Sequence, residues 1–389
     1  MNQETRLPIA IELMREFAAL TGLSPADERQ RRYLWTDAFA VCNFLELYRQ
    51  TSHESYRNLA LLLVDQVHRI LGRHRGDDRR TGWISGLDER EGGLHPTVGG
   101  LRIGKKLNER SLDDPFDDQL EWDRDGQYYH YLTKWMHALY RVSAVTGDTT
   151  FRRWAVELAQ TAHAGFTFAS PSWGQKRMVW KMSIDLTYPL VPSMGHHDPL
   201  DGLITYRELR AGCAGGAEGA TVLTGEIAEM AALCEGRDWT TDDPLGIGGI
   251  LSDACRVAQI SAGGTWPESD LLASLLEASR IGLHRYARTG SLQAPAYYRL
   301  AFRELGLAIG LHALARLQRL IEGSPGLLKD GQPLSRQVEI LMRYRPLAEI
   351  IEDFWLEPAN RQDPSFTEHR DINMVMLATS LTPDGVLLL

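Results

Sequence analysis

Apolar residues recur at spacings of three and four along most of the chain, which is the pattern of helices with one buried face. No segment shows the clear alternation of apolar and polar residues that is typical of a half-buried β-strand. Clusters of Gly, Pro and Asp separate the periodic segments, so the sequence predicts an all-α protein. The predicted helices cover residues 7–20, 35–49, 54–71, 127–146, 149–166, 220–234, 245–260, 270–286, 297–321, 336–343, 347–355 and 371–381.

A weak internal repeat indicates how these helices pair. An aromatic residue stands three positions before an apolar-Ala pair at Tyr56, Phe151 and Tyr297, and each opens a predicted helix. The repeat favours helical hairpins, which cannot bury their apolar faces alone and therefore stack into a solenoid or close into a ring. Because neither a Pro/Gly/Ser-rich linker nor a break in composition divides the chain, we expect one closed domain over residues 1–389.

The composition is that of a globular protein: 43% of the 389 residues are hydrophobic and 24% are charged. The formal net charge of -9 provides no global positive field to attract phosphate backbones, so nucleic acid is not an expected partner. Charged residues such as Glu4, Arg6 and Glu12 interrupt the N-terminal helix, which argues against a signal peptide. No segment has the uncharged apolar length of a membrane span, so we expect a cytoplasmic protein without a membrane partner.

The cysteine pattern agrees with that expectation. The four cysteines are widely spaced, contain no CxxC pair and fall in helical segments. We expect reduced core residues rather than disulfides at Cys42, Cys213, Cys234 and Cys255.

Two long segments, residues 73–126 and 170–219, interrupt the helical pattern. Unstructured segments of this length inside a compact domain are usually functional. The first contains a Gly-rich run, the basic pair Lys105-Lys106 and a dense acidic stretch, and the second contains Trp, His and Asp residues. Candidate chemistry is therefore expected in both.

The acidic stretch places seven carboxylates between Asp113 and Asp125, interleaved with Phe116 and Trp122. Its start matches a DDxxD diphosphate pattern, but a proline in the middle argues for a loop rather than the helix that this pattern needs. Its end resembles the start of an EF-hand loop and lacks the acidic twelfth ligand, since Leu132 stands there. An irregular calcium turn, a solvated acidic loop and a catalytic or sugar-binding loop stay open as alternatives.

The helix that follows this loop is unusually rich in aromatic residues. Tyr128 and Trp135 belong to one apolar stripe, whereas a polar stripe formed by His130, Lys134, His137 and Arg141 lines another side. Flat rings beside paired carboxylates suit sugars, whose C–H faces stack on the rings and whose hydroxyls bind carboxylates. A buried core stripe is the equal alternative.

These features resemble a known superfamily. The Trp35-Thr36-Asp37-Ala38-Phe39 segment at an early helix, and the acidic loop feeding Asp125-Gly126-Gln127-Tyr128-Tyr129, are similar to the six-hairpin glycosidase-like proteins. The resemblance implies an (α/α)6 toroid whose pocket opens at one end of the inner helices, in a group that includes glycoside hydrolases and sugar epimerases. It also implies that Asp37, Asp125 and Asp371 begin three inner helices and converge on one pocket.

On this basis we expect a carbohydrate-active enzyme, first of all a glycoside hydrolase with a carboxylic acid and a carboxylate base. Like-charge crowding by Glu121 and Asp123 would raise the pKa of Asp125, which is assigned the acid role, with Asp37 as the base and Asp371 as a third candidate. Stacking walls are expected from Trp83, Tyr128, Tyr129 and Trp173. Contacts to an acidic sugar are expected from Arg102, Lys106 and Arg110.

Histidines support an alternative reaction. Proton abstraction next to a sugar carbonyl, the reaction of a sugar epimerase of the acylglucosamine 2-epimerase type, needs a base such as histidine. The candidates are Gly195-His196-His197-Asp198 and Glu368-His369-Arg370-Asp371, each of which could place an imidazole beside a carboxylate, and His130 is a further candidate contact. Asp198-Pro199 departs from the acidic-aromatic pair of those epimerases.

A non-catalytic helical scaffold or sugar sensor is the third alternative. A transition metal at residues 196–201 lacks a diagnostic ligand spacing, so no cofactor is expected. The expected partner is a small carbohydrate, whose identity, like the oligomeric state, the sequence leaves open.

Overall fold

The computed structural model describes residues 3–25, 30–169, 176–213, 221–264, 266, 268–323 and 334–389. Its α-helices, in chain order, are α1 (Gln3–Leu20), α2 (Leu34–Thr51), α3 (Glu54–Leu71), α4 (Glu89–Leu94), α5 (Asp118–Asp123), α6 (Tyr129–Thr146), α7 (Thr149–Phe166), α8 (Asp198–Gly212), α9 (Thr224–Cys234), α10 (Pro244–Ala262), α11 (Ser269–Tyr286), α12 (Ala301–Gly323), α13 (Leu334–Met342), α14 (Pro346–Leu356), α15 (Pro358–Arg361), α16 (Pro364–Thr367), α17 (Arg370–Leu381) and α18 (Asp384–Leu387). The predicted all-α class is confirmed.

Short strands accompany the helices, which the sequence pattern did not predict because each has only two or three residues. They are β1 (Gln127–Tyr128), β2 (Thr167–Ala169), β3 (Lys176–Met178), β4 (Lys181–Met182) and β5 (Pro189–Val191). One antiparallel sheet has the order β1-β4-β5, and β2 pairs with β3. The β1–β4 register sets Gln127 opposite Met182 and Tyr128 opposite Lys181.

The chain divides into two compact units. The central unit comprises Thr21–Tyr48 and His53–Glu235, and the terminal unit comprises Met1–Leu20, Arg49–Ser52 and Gly236–Leu389. The single-domain organisation expected from the sequence stays a prediction.

The α6–α7 hairpin shows how the sequence builds the central unit. Buried Leu132, Trp135 and Leu139 recur at helical spacing and give α6 its apolar face. The helix ends at Gly147, whose φ of 75° lies in the left-handed region and whose N–H caps the carbonyl of Ser143 at 2.9 Å. The next residue, Asp148, accepts the backbone N–H of Thr150 at 2.8 Å and starts α7 at once.

In the terminal unit α10 and α12 touch backbone to backbone. A Cβ atom at Gly248 would lie 2.0 Å from the carbonyl oxygen of Gly306, and one at Gly310 would lie 2.4 Å from that of Gly248. Glycine is therefore required where the two helices cross.

Several helix boundaries differ from the sequence prediction. Residues 54–71 and 149–166 are helices as predicted, but α8 falls within 170–219, which was expected to be irregular. Eleven of the fifteen residues of α8 are buried, so it has no amphipathic stripe to reveal it. The helix predicted from residue 297 begins at Ala301, because Arg299 is extended (φ -120°, ψ 150°) and its Nε donates to Glu304 at 2.9 Å.

The four cysteines are free thiols, as expected, but the prediction that all four lie in the core was wrong: Cys213 and Cys234 are partly exposed, because they stand at the ends of α8 and α9. Cys42 and Cys255 are buried, and burial raises the pKa of each thiol to about 12. Within the described ranges, no helix combines the length and the apolar character needed to cross a lipid bilayer.

Candidate functional site

Asp125, the expected general acid, is fully buried between α5 and β1. Its Oδ2 accepts hydrogen bonds from Arg102 at 3.0 Å and from Arg75 at 3.3 Å, and its Oδ1 accepts the backbone N–H of Gly104 at 2.9 Å. The two carboxylates that the sequence predicts to crowd Asp125 have other environments. Asp123 is exposed, and Glu121 pairs with Lys181 at 2.7 Å. Asp125 therefore anchors the loops around it through two arginines.

Asp37, the expected base, lies in the first turn of α2 and is also buried. Its Oδ1 accepts a hydrogen bond from Arg32 at 3.3 Å, and its Oδ2 accepts the backbone N–H of Tyr33 at 2.9 Å. These contacts tie the entry of the chain to the start of α2. The catalytic roles assigned to Asp37 and Asp125 stay predictions.

The other expected contacts occupy varied environments. Trp83 and Tyr129 are buried in the core, and Arg102 and Arg110 bind Asp125 and Glu121. Lys106 is exposed, and Trp173 lies outside the described residues. His369 and Asp371 belong to the terminal unit, at the N-cap and in the first turn of α17.

An aromatic patch surrounds the start of α6 and builds on the buried ring of Tyr128. We use this name for Tyr33, Trp122, Tyr128, His130, Tyr131 and Trp180. The ring of Tyr128 lies 4.9 Å from that of Trp180 and 5.0 Å from that of Tyr131, which in turn shares a hydroxyl contact of 2.7 Å with Tyr33. Every member except Tyr128 is at least partly exposed, so the patch presents ring faces and edges to solvent.

His130 of the patch faces Asp198, the first residue of α8, with 3.6 Å between Nδ1 and Oδ1. Asp198 is buried, whereas the His130 side chain is 34% exposed. Gly195 makes room for the carboxyl group, because a Cβ atom there would lie 2.4 Å from Oδ2. The structure thus brings together His130 and the Asp198 of the Gly195–Asp198 segment.

The two groups of this pair have opposite pKa shifts. Burial, reinforced by the carboxylate of Asp201, raises the pKa of Asp198 to about 8, although Lys134 and a backbone N–H oppose the rise. Loss of surrounding water lowers the pKa of His130 to about 4, with Asp201 opposing and Lys134 adding to the fall. Near neutral pH a carboxylic acid therefore stands beside a neutral imidazole.

The His130–Asp198 pair is the first of a row of polar contacts between α6 and α8. Lys134 contacts Asp201 at 2.8 Å, and His137 contacts Glu208 at 2.7 Å. The helices approach closely because Gly202 faces Tyr129, whose hydroxyl would lie 2.3 Å from a Cβ atom there. The polar stripe predicted on α6 thus meets an acidic stripe on α8.

His196 and His197 stand directly before α8, with ring centroids 4.4 Å apart, and His197 occupies the N-cap position. They are the histidines nearest in sequence to Asp198 and are at least partly exposed. Across the residues that the structure describes, no three His, Cys, Asp or Glu side chains form a group suited to a metal ion.

Sequence reasoning missed the pairing of His130 with Asp198 and the exposed rings of Trp122 and Trp180. The spacing of Asp198, Asp201 and Glu208 by three and seven residues was the available signal, since it places all three on one helix face.

The fold has counterparts among solved structures. The chain is similar to the GH76A alpha-1,6-mannanase from Salegentibacter sp. HEL1_6, with a TM-score of 0.52, 13% identity, and coverage of 96% of this chain and 98% of that one. It is similar to an inactive variant of that mannanase, with two aspartates replaced by alanine and alpha-1,6-mannotetrose bound, with a TM-score of 0.52, 13% identity, and coverage of 97% and 99%. The chain has the (α/α)6 toroid fold.

The fold expected from the resemblance to six-hairpin glycosidase-like proteins is thereby confirmed. A sugar epimerase from a ruminal bacterium is also similar, with a TM-score of 0.45, 10% identity, and coverage of 76% of this chain and 74% of that one. No protein-family profile and no curated protein sequence matches the chain.

Proposed function

We propose that this protein is a carbohydrate-active enzyme that hydrolyses a glycosidic bond at the His130–Asp198 pair. The observation that carries the proposal is a carboxyl group with a pKa of about 8 beside a partly exposed imidazole. A glycoside hydrolase needs one carboxylic acid that is still protonated at its working pH, and burial is the usual way to obtain it. The aromatic patch around the pair supplies ring faces of the kind that pack against sugars.

The pair can deliver a proton in one concerted movement. His130 is the more exposed member, and its Nδ1 faces Asp198. As Nε2 gives its proton to the leaving glycosidic oxygen, Nδ1 takes the proton of Asp198, so the bond from C1 to that oxygen breaks, the alcohol departs and the aspartate becomes ionised. C1 then bonds to the oxygen of water, which gives its proton to a second carboxylate. The 3.6 Å contact shortens when substrate binds, as catalytic hydrogen bonds often do.

Asp201 is our candidate for the second, ionised carboxylate. It lies three residues after Asp198 on the same face of α8 and pairs with Lys134 at 2.8 Å. Such a carboxylate stabilises the oxocarbenium-like transition state or activates water. The mannanase of similar fold is inactive without two of its aspartates, which supports paired carboxylates as the mechanism to test first.

The test is turnover of neutral oligosaccharides and aryl glycosides, with α-1,6-linked mannosides as the first probes. We expect wild-type hydrolysis and a large loss of kcat in Asp198→Asn, whereas Asp65→Asn, at an exposed carboxylate of α3, serves as the control. Undiminished kcat in Asp198→Asn overturns the mechanism. Binding without turnover by the wild-type protein favours the sugar-sensor alternative.

Epimerisation is the second candidate, favoured by the neutral imidazole of His130 and by the adjacent His196 and His197. Proton abstraction next to a sugar carbonyl needs a base of this type. An epimerase incorporates solvent deuterium at the substrate carbon, and a hydrolase does not. Mass spectrometry of free sugars incubated in deuterium oxide therefore separates the two reactions.

A further inference from the structure

Trp122 is a largely exposed tryptophan on a firmly anchored helix. Its side chain is 57% exposed, although a tryptophan normally hides its large apolar surface. The helix that carries it, α5, is capped by Asp117, whose Oδ1 accepts the N–H of Leu120 at 2.9 Å.

The residue next to Trp122 holds this helix in place. Glu121 is buried and lies 2.7 Å from Lys181 Nζ and 3.2 Å from Arg110 Nε. Lys181 is itself fully buried and also donates to the carbonyl of Arg124 at 3.1 Å. A buried ionic anchor of this kind contributes little net stability but fixes geometry, so the exposed indole is held in one place.

Ring contacts connect Trp122 to the acid–base pair. The centroids of Trp122 and Trp180 are 5.8 Å apart, and those of Trp180 and Tyr128 are 4.9 Å apart. Tyr128 is in turn stacked on His130 at 5.7 Å, with an interplanar angle of 21°. The exposed ring of Trp122 and the partly exposed rings of Trp180 and His130 therefore belong to one track, joined by the buried ring of Tyr128.

We propose that Trp122 and Trp180 form a distal sugar subsite, and that the substrate is a neutral glycan chain rather than a free monosaccharide. The inference rests on the proposed function, because it takes His130 as the reacting end of the track. Two rings separate Trp122 from His130 in this series of contacts, so a chain that packs on Trp122 extends over more than one sugar unit before it reaches His130.

Charge around the track selects the class of glycan. Exposed carboxylates flank Trp122 on α5 at Asp118 and Asp123, and Asp113 lies in the preceding loop. The nearby arginines Arg102 and Arg110 are already bound to Asp125 and Glu121. At the Trp122 end of the track an acidic or sulfated glycan would meet repulsion from these carboxylates, whereas a neutral chain meets hydrogen-bond acceptors.

The test is calorimetric binding of neutral gluco-, manno- and xylo-oligosaccharides to Asp198→Asn, in which turnover is blocked. We expect a pentasaccharide to bind more tightly than the matching disaccharide, and Trp122→Ala to weaken pentasaccharide binding by about tenfold with little effect on the disaccharide. Phe116→Ala is the matched control, because Phe116 is 53% exposed in the loop just before α5 and packs under Arg110 instead.

Three results would each overturn the inference. The first is that Trp122→Ala weakens the binding of short and long chains equally, and the second is that Phe116→Ala weakens pentasaccharide binding as much as Trp122→Ala does. The third is that no neutral oligosaccharide binds. Length-dependent binding through Trp122 in a protein that hydrolyses nothing leaves the subsite standing and refutes the proposed function. Hydrolysis by the wild type, together with oligosaccharide binding that does not depend on Trp122, supports the proposed function and refutes the subsite.

Discussion

Lys181 Nζ lies 2.7 Å from Oε1 of Glu121, and both side chains are buried. Replacing Lys181 with methionine leaves the carboxylate buried with only Arg110 as a cationic partner. We expect Lys181→Met to lower the free energy of unfolding by about 3–5 kcal/mol, because removing one member of a buried pair leaves the other charge buried with less compensation. Urea unfolding followed by circular dichroism measures the change.

The control for this variant is Arg69→Met, which breaks an exposed pair between Arg69 and Asp65 at 2.9 Å on α3. A loss below about 1 kcal/mol is expected there, since water screens exposed pairs. Equal losses in the two variants would contradict the anchoring role of Lys181.

Asp125→Ala tests the interpretation of Asp125 as a structural anchor. The substitution leaves the guanidinium of Arg102 buried without its carboxylate, and we expect the free energy of unfolding to fall by about 3–5 kcal/mol. Asp77→Ala removes an exposed carboxylate from Arg75, where the contact is 2.7 Å, and should cost less than about 1 kcal/mol. The same denaturant titration compares them, and a loss for Asp125→Ala no larger than that for Asp77→Ala contradicts the interpretation.

The pH dependence of stability reports on Asp198. Its pKa is about 8 in the folded protein and about 3.9 in the unfolded chain, so between these values the folded state binds more protons. Stability from this group is complete below pH ~4 and is lost as pH rises through 8, by up to about 1.4 kcal/mol per pH unit. Asp198→Asn should remove this loss, so urea midpoints from pH 5 to 9 should fall less in the variant. Identical slopes would show that Asp198 does not hold a proton.

Sequence reasoning succeeded where a helix has one buried face. The α3 and α7 helices were predicted to the residue because their apolar positions recur on one side only. It also separated the polar stripe of α6 from its apolar stripe. Such patterns depend on local spacing, which the sequence contains in full.

The site was harder to predict because it depends on contacts between distant segments. The buried helix α8 carries Asp198 and has no amphipathic pattern, and Trp180 reaches Tyr128 only because β4 pairs with β1. The expected crowding at Asp125 came from carboxylates adjacent in sequence, whereas the arginines that bind it lie at least 23 residues away. Sequence proximity is therefore a poor guide to the charges that a buried group meets.

His68 provides a second pH-dependent group, outside the proposed site. It is buried, accepts a hydrogen bond from the indole of Trp135 at 3.1 Å, and has a pKa lowered to about 3 by burial. Between pH 3 and ~6.5 the unfolded chain binds more protons, so stability should fall as pH decreases through this range. His68→Gln keeps an acceptor without titrating, and should lose less stability between pH 6.5 and 4 than the wild type. His284→Gln, at an exposed position of α11, controls for the loss of a histidine. If His68→Gln loses as much stability as the wild type between pH 6.5 and 4, the lowered pKa of His68 is contradicted.

The most direct test of the acid–base pair is the pH profile of kcat/KM for glycoside hydrolysis in the wild type and in Asp198→Asn. We expect an alkaline limb near pH 8 in the wild type, where Asp198 loses its proton. Asp198→Asn should lose this limb and about 10²–10⁴-fold in rate. An Asp198→Asn enzyme with wild-type rates and an unchanged alkaline limb would contradict the role of Asp198 as the acid.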